Sequence, residues 1–235
     1  MKKSLLLILI LLSFQTIILA QVNKKIYGVF ENKTLLQVGI LEDSAGNSMK
    51  SIVRFSPFAN YTIQAHKDFN THFGVYTGVG IKNVGFIYKS NDTINQKVKN
   101  RAYSISIPLG LKYGNIADDK YLYVAAEVLV QFDYKEKAFN KFGDKSIRKS
   151  YGAVNTLNYS AMIGYNYKGF TIGAEYTLGN FYDPKYRFQP DKNNASKIAA
   201  PSKSNILTFF IGFRTNLSAE KVAAPDKNLQ QARIF

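Results

Sequence analysis

The chain has 235 residues, 31 Lys and Arg against 16 Asp and Glu, a formal net charge of +15, and neither Cys nor Trp. The absence of cysteine excludes a disulfide scaffold, so an exported form must be held by backbone pairing and packing, which a closed barrel can supply. With a mean hydropathy of −0.16 and no helix-length apolar run beyond the N-terminus, only strands could carry this chain across a bilayer.

Met1-Lys2-Lys3 is basic, Leu5 to Leu12 is an unbroken apolar run, and Ile17-Ile18-Leu19 ends at Ala20-Gln21. This order reads as a secretory signal peptide over residues 1–20, cleaved after Ala20. The alternative is an N-terminal anchor. Against it, Ser13, Gln15 and Thr16 interrupt the run well short of about 18 continuous apolar residues. No Cys follows that could carry a lipid. Residues 21–33 are expected to form an N-terminal periplasmic arm, although Lys24–Asn32 could be a further strand.

The strands follow in chain order: an early one near 34–42, then 55–65, a mixed stretch over 71–88, and a sharply alternating one from Tyr103 to Tyr113. In the last, Tyr103, Ile105, Ile107, Leu109, Leu111 and Tyr113 share one parity, and Ser104, Ser106, Pro108, Gly110 and Lys112 the other. A period of two makes one face apolar and the other small or charged. Ten residues of strand span roughly 33 Å, which a tilt of about 40–45° reduces to roughly 25 Å, the height of an outer-membrane apolar band. Leu122 to Tyr134, a mixed stretch over 151–167, Phe170 to Leu178 and Leu207 to Leu217 complete the set. The resulting expectation is all-β: an eight-stranded antiparallel up-and-down transmembrane β-barrel over residues 34–217. A ten-strand count stays open.

The links alternate in length. Lys67–Asn70, Asn115–Lys120 and Asn166–Gly169 are short; Asp43–Ser51, Lys89–Lys97, Lys135–Ser150 and Asp183–Lys203 are long. Short periplasmic turns and longer extracellular loops are how outer-membrane barrels are threaded. The competing architecture is a secreted soluble barrel of the lipocalin kind, with the apolar parity turned inward around a ligand. Its polar parity should then be a charge-rich exterior, whereas here it is Gly, Ser, Thr and Ala with isolated charges.

Arg101-Ala-Tyr-Ser-Ile-Ser-Ile-Pro-Leu-Gly-Leu-Lys-Tyr-Gly114 resembles the Ile-Pro-Leu to Lys-Tyr strand of small outer-membrane β-barrel proteins that include the PorT-like group. Ile206 to Leu217, with Ile211-Gly-Phe-Arg214, is similar to their last strand. The resemblance implies an integral outer-membrane protein, with protein secretion among the roles of relatives. The chain departs from the pattern at its end, where a tail over 218–235 follows the last strand instead of a closing aromatic.

Alternation sends Arg54, Lys112, Glu127, Asp133, Glu175 and Arg214 into the lumen, where eight strands leave just enough room for side chains to pair. These residues form a plug of mutual ion pairs or, alternatively, line a narrow solute path. His66 and His72 flank a turn with Asp68, a conceivable metal group with no further ligand in evidence. No Gly-x-Ser-x-Gly nucleophile motif occurs. No enzyme and no cofactor are expected.

Loss of Lys2 and Lys3 takes the net charge from +15 to +13. Three expected outer loops and their flanks hold fifteen basic residues against five acidic ones. Among the basic ones are Lys97, Lys99, Lys141, Lys145, Arg148, Lys149, Lys185, Arg187, Lys192 and Lys197. Such loops could bridge lipopolysaccharide phosphates or bind acidic polysaccharide; they could equally be a solvated Lys-rich surface. Nucleic acid is excluded by compartment. The tail could start a short helix at Pro225 with Leu229, Ala232 and Phe235 as an apolar stripe toward a protein partner, or be disordered. Two function classes follow: a structural or surface-interaction barrel, or an accessory subunit of an outer-membrane secretion or assembly complex.

Overall fold

Alternating stretches that cannot satisfy their own N–H and C=O groups must pair with neighbours, and here they do so in one antiparallel sheet of twelve strand segments. The computed structural model describes residues 26–89, 95–140, 142–143, 145–149, 152–183 and 201–217. The expected signal peptide and C-terminal tail lie outside the described residues. The segments are β1 (Tyr27–Glu42), β2 (Ser51–Ile52), β3 (Arg54–Ser56), β4 (Tyr61–Asp68), β5 (Phe73–Val84), β6 (Ile87–Lys89), β7 (Asn95–Asn115), β8 (Lys120–Asn140), β9 (Lys145–Arg148), β10 (Leu157–Tyr167), β11 (Phe170–Thr177) and β12 (Lys203–Asn216).

The pairings close on themselves. β1 pairs with β12 on one edge and with β4 and β3 on the other. β4 continues to β5, β5 to β7, and β7 to β8. From there β8 pairs with β10, β10 with β11, and β11 with β12. The ring has eight positions, because β3–β4 and β5–β6 are each one traverse interrupted once. β2 extends the wall beside β6, and β9 folds back on β8.

The interruptions have local causes. Pro57 has no N–H to donate to a ladder. Past it, Ala59 adopts a positive φ of 60°, and Asn60 Nδ2 donates to Ser56 O (2.9 Å) and Phe58 O (3.1 Å). At Gly85 a Cβ would sit 2.1 Å from Asn100 O, so only glycine lets β7 pass this close.

The first strand is longer than its sequence pattern indicates. β1 begins at Tyr27 rather than near 34, so residues 27–33 belong to the wall and not to a free arm. They pair with β4 through Tyr27↔His66 to Asn32↔Tyr61 and, from Val29, with β12 as well. The candidate extra strand at Lys24–Asn32, as far as it is described, is therefore the lower half of β1, and it adds no ninth or tenth position.

Both chain ends of the ring and the short turns lie at one end. Gly114 N donates to His72 O (2.9 Å), Lys168 N to Asp119 O (2.8 Å) and Leu217 N to Gly28 O (2.8 Å), lacing the turns and termini together. Lys168 and Gly169 both have positive φ, 51° and 84°, as a two-residue hairpin turn matched to strand twist requires. The loops between the other strand ends gather at the opposite, loop end.

Burial shows which parity faces in. Leu109 is 65% exposed and Lys112 0%. Along β7 the Ile105, Ile107, Leu109, Leu111 and Tyr113 parity is outside, and Ser104, Ser106 and Lys112 are enclosed. The same inversion holds on β8, β10 and β12, making a continuous apolar belt; this is the reverse of a ligand-carrying soluble barrel.

Toward the loop end the inversion ends. There Phe86, Tyr88, Leu129, Tyr134, Phe181 and Tyr182 belong to an apolar core inside the ring. The switch on β8 coincides with a bulge. Tyr103 faces Asp133 while Ser104 faces Gln131, so Phe132 is an extra residue and every side chain beyond it changes face. Tyr134, expected to share the outer face with Leu122, is consequently buried.

Bulky lumen tyrosines lie over glycines on neighbouring strands: Tyr76 opposite Gly110, and Tyr123 opposite Gly164. A Cβ at Gly110 would come within 2.3 Å of the Tyr76 ring. Gly110→Val is expected to destabilise the barrel by about 1–3 kcal/mol. The measurement is the urea midpoint at which the unboiled protein loses its folded gel mobility.

Candidate functional site

Five of the six expected charges keep the inward parity, and four of them meet in the lumen, joined by partners that alternation alone did not assign. Lys82 forms ion pairs with both Glu127 and Glu175. Glu127 also accepts from Ser106 Oγ and from Ser160 Oγ (3.1 Å). Below them Glu31 takes Arg214 Nε (2.7 Å), Lys33 Nζ (3.0 Å) and Gln64 Nε2 (2.7 Å). Arg214 also donates to Tyr121 OH (2.8 Å) and lies 4.5 Å from the Tyr123 ring centroid. At the turn end, Lys112 pairs with Asp68 and donates to Tyr27 OH (2.9 Å). Lys33, Lys82 and Arg214 thus face Glu31, Glu127 and Glu175, and charge cancels among these six. Glu31 and Lys33 escaped the sequence reading because they fell in the expected arm, and Lys82 because both faces of 71–88 are mixed.

One lumen assignment is corrected. Asp133 lies beyond the bulge, so it points outward, 3.9 Å from Arg101 NH2. Arg54 keeps the inward parity of its buried cross-strand partner Gln37, but it stands where the wall parts: β4–β5 pairing stops at Tyr61↔Ile81, and β2–β6 pairing resumes at Ile52↔Ile87. Its guanidinium bridges the gap, donating to Gln37 Oε1 on one side and to Asn83 O (3.2 Å) and Asn83 Oδ1 on the other.

The other charged group is on the outer face at the loop end. There β7 and β8 continue past the apolar belt as strands, which corrects the assignment of Lys97 and Lys99 to a loop. Lys145 and Arg148 likewise lie in β9, with Lys149 exposed just after it. Lys97, Lys99 and Arg101 alternate on β7, Lys135 and Lys137 on β8, all with outward parity. Cross-strand partners are Lys99↔Lys137, Arg101↔Lys135 and Lys89↔Lys97. Like charges directly opposite each other destabilise a sheet, yet they recur here in successive rows. Partial burial, then Lys97 and Lys137, lower the pKa of Lys99. Lys135 is lowered by residual desolvation and by Lys137, Lys149, Arg101 and Lys145.

These rows sit immediately above an aromatic boundary. Tyr103 and Phe132 stack with centroids 6.5 Å apart, and Arg101 Cζ lies 4.5 Å over the Tyr103 ring. Arg101, Lys135 and Lys137 were counted in the basic loops but not singled out. The period-two spacing Lys97-x-Lys99-x-Arg101 and Lys135-x-Lys137 was the signal that the strands continue. Lys141, Lys185, Arg187, Lys192 and Lys197 lie outside the described residues.

The two histidines are not brought together. His66 is buried in the lumen, its Nε2 2.8 Å from Gln64 Oε1 and its ring stacked on Tyr76 at 5.0 Å. His72 is exposed in the turn, with Nδ1 2.9 Å from Thr71 Oγ1. Asp68, between them in sequence, is held by Lys112 and by Tyr27 OH (2.8 Å).

Removing Lys82 would strand two buried carboxylates. Lys82→Met is expected to cost about 3–5 kcal/mol, read from urea unfolding in detergent, and Glu127→Gln with Glu175→Gln in the same chain should restore most of it.

No family model matches the chain, and no curated protein matches it. Among solved structures it is similar to Ail, the attachment invasion locus protein of Yersinia pestis. In complex with the heparin analogue sucrose octasulfate, Ail is 15% identical with a TM-score of 0.40, over 80% of this chain and 99% of that one. A second Ail structure is 14% identical with a TM-score of 0.37, at the same coverage. Neisserial surface protein A is 13% identical with a TM-score of 0.39, over 81% of this chain and 96% of that one.

Proposed function

We propose that this chain is an exported, non-enzymatic barrel integral to the outer membrane, with its turn end in the periplasm and its loop end outside. Its basic outer face engages phosphate groups of the surrounding outer-leaflet lipopolysaccharide. Signal peptide and PorT-like affinity are part of the same reading. The apolar belt supports the membrane assignment, since an exterior of Ile, Leu, Val and Phe over a polar interior suits lipid and not water. The filled, charge-balanced lumen favours an inert plug over a solute path.

The observation that carries the surface role is the pairing of Lys99 with Lys137 and of Arg101 with Lys135 on the outer face just above the belt. Strands that repel gain stability when an anion lies across them, and Lys and Arg form charge-assisted hydrogen bonds to phosphate. This level of a barrel wall is where the headgroups of the outer leaflet stand.

Membrane fractionation followed by gel mobility with and without boiling tests the location. The expected result is an outer-membrane band that shifts on boiling, whereas a soluble, unshifted protein would overturn the assignment. For the surface role, Lys99→Gln with Lys137→Gln should weaken binding of purified protein to lipopolysaccharide by about tenfold. Dephosphorylated lipopolysaccharide should bind wild type and variant equally weakly. Unchanged binding by the variant would end the headgroup reading.

A further inference from the structure

The gap in the wall beside Arg54 opens into a cavity of about 130 Å³ lined by Arg54, Ile87, Lys99, Asn100, Arg101, Lys135 and Lys137. Five of these side chains are cationic, and the ion pair they make among the described residues is the loose Arg101–Asp133 contact. We propose that this cavity is a discrete phosphate site, taking a phosphate monoester on a membrane glycolipid or free in solution; this rests on the basic face being an anion-binding surface and gives it one defined seat.

Three observations define the seat. Arg54 is fixed by Gln37 and Asn83, so its charge is placed at the gap before any ligand arrives. Arg101 Nε and Asn100 Nδ2 are buried and have no hydrogen-bond partner among the described residues. The Asn100 amide is itself held in orientation, because its Oδ1 accepts from Tyr134 OH and Tyr182 OH, each at 2.8 Å.

Buried donors without acceptors are costly, and a lining in which two residues carry such donors among five cations calls for an oxygen-rich anion. A cavity of about 130 Å³ has room for a four-oxygen anion. Arginine's planar fork selects phosphate geometry where a lysine supplies only a point charge. Arg54 and Arg101 therefore define the seat, and the lysines supply the field around it.

The test uses full-length protein in detergent, with three probes: a phosphorylated disaccharide glycolipid, its dephosphorylated counterpart, and inorganic phosphate, each titrated at constant ionic strength. Saturable one-to-one binding that requires phosphate is expected. Arg54→Gln and, separately, Arg101→Gln should weaken it at least tenfold. Lys145→Gln with Lys149→Gln, beside Lys135 but outside the cavity lining, should weaken it less than threefold. A boiling-dependent gel shift for each variant shows that the barrel has closed, and Arg101→Gln, which gives up only the loose Asp133 contact and the Tyr103 ring contact on the outer face, carries the test if Arg54→Gln does not fold. Comparable affinity for inorganic phosphate would identify a free ligand, and binding of the phosphorylated glycolipid alone a membrane-borne one. Phosphate-dependent binding that tolerates both arginine changes would overturn the discrete site and leave the basic face standing. No phosphate-dependent binding at all would overturn both.

Discussion

Closure of the backbone hydrogen-bond ring is the constraint from which the rest of this structure follows. Each of the eight traverses has both edges engaged, and the last, β12, returns to β1 along Val29↔Asn216 to Glu42↔Lys203. A closed ring has no edge to protect, and it divides every strand into two faces with different surroundings. Ring size then sets the lumen: eight strands enclose a space that side chains alone can fill. Glycines opposite Tyr76 and Tyr123 are part of the same fit, since the rings need room that a Cβ would take.

Inside the ring and above the belt, the same residue types meet opposite fates. In the lumen Lys33, Lys82 and Arg214 are matched by Glu31, Glu127 and Glu175 at hydrogen-bond distance, as charges removed from water must be. On the outer face, Lys97, Lys99, Arg101, Lys135 and Lys137 stand in rows with no comparable set of carboxylates opposite them among the described residues. Neutralisation within the lumen makes it a structural element; the uncompensated rows make the outer face the chemically informative surface. Its reading as a seat for anions comes from this contrast rather than from the net charge of +15, which would be met as well by scattered lysines.

One residue governs the boundary between the two regimes. With Phe132 extruded as a bulge, β8 exchanges its faces, so that Gln131 lies in the polar lumen and Tyr134 in the apolar core of the loop end. Without that slip, Lys135 and Lys137 would point inward and Glu136, Tyr134 and Ala138 outward. Bulges re-aim side chains at sheet rims, and this one lets a single 21-residue strand be apolar outside at its lower end and basic outside at its upper end.

The sequence by itself determined the architecture. Period-two patterns from Tyr103 to Tyr113 and from Leu207 to Leu217, with short and long links in alternation, define all-β antiparallel traverses, with eight or ten of them left open, because alternation and loop length are local properties of the chain. It also placed Lys112, Glu127, Glu175 and Arg214 inside. Only the tertiary structure decided the rest. The extent of β1 was missed because Asn32 and Thr34 interrupt the outward apolar parity between Phe30 and Leu36, so that Lys24–Asn32 read as an arm or a separate strand. Asp133 was misplaced because a bulge carries no sequence signature strong enough to reset the parity. Arg54 keeps its expected parity, yet its guanidinium spans a gap because pairing between two distant strands lapses beside it. Which charges meet, and which remain without a partner, depends on register between strands far apart in the chain, and register is fixed only when the ring closes.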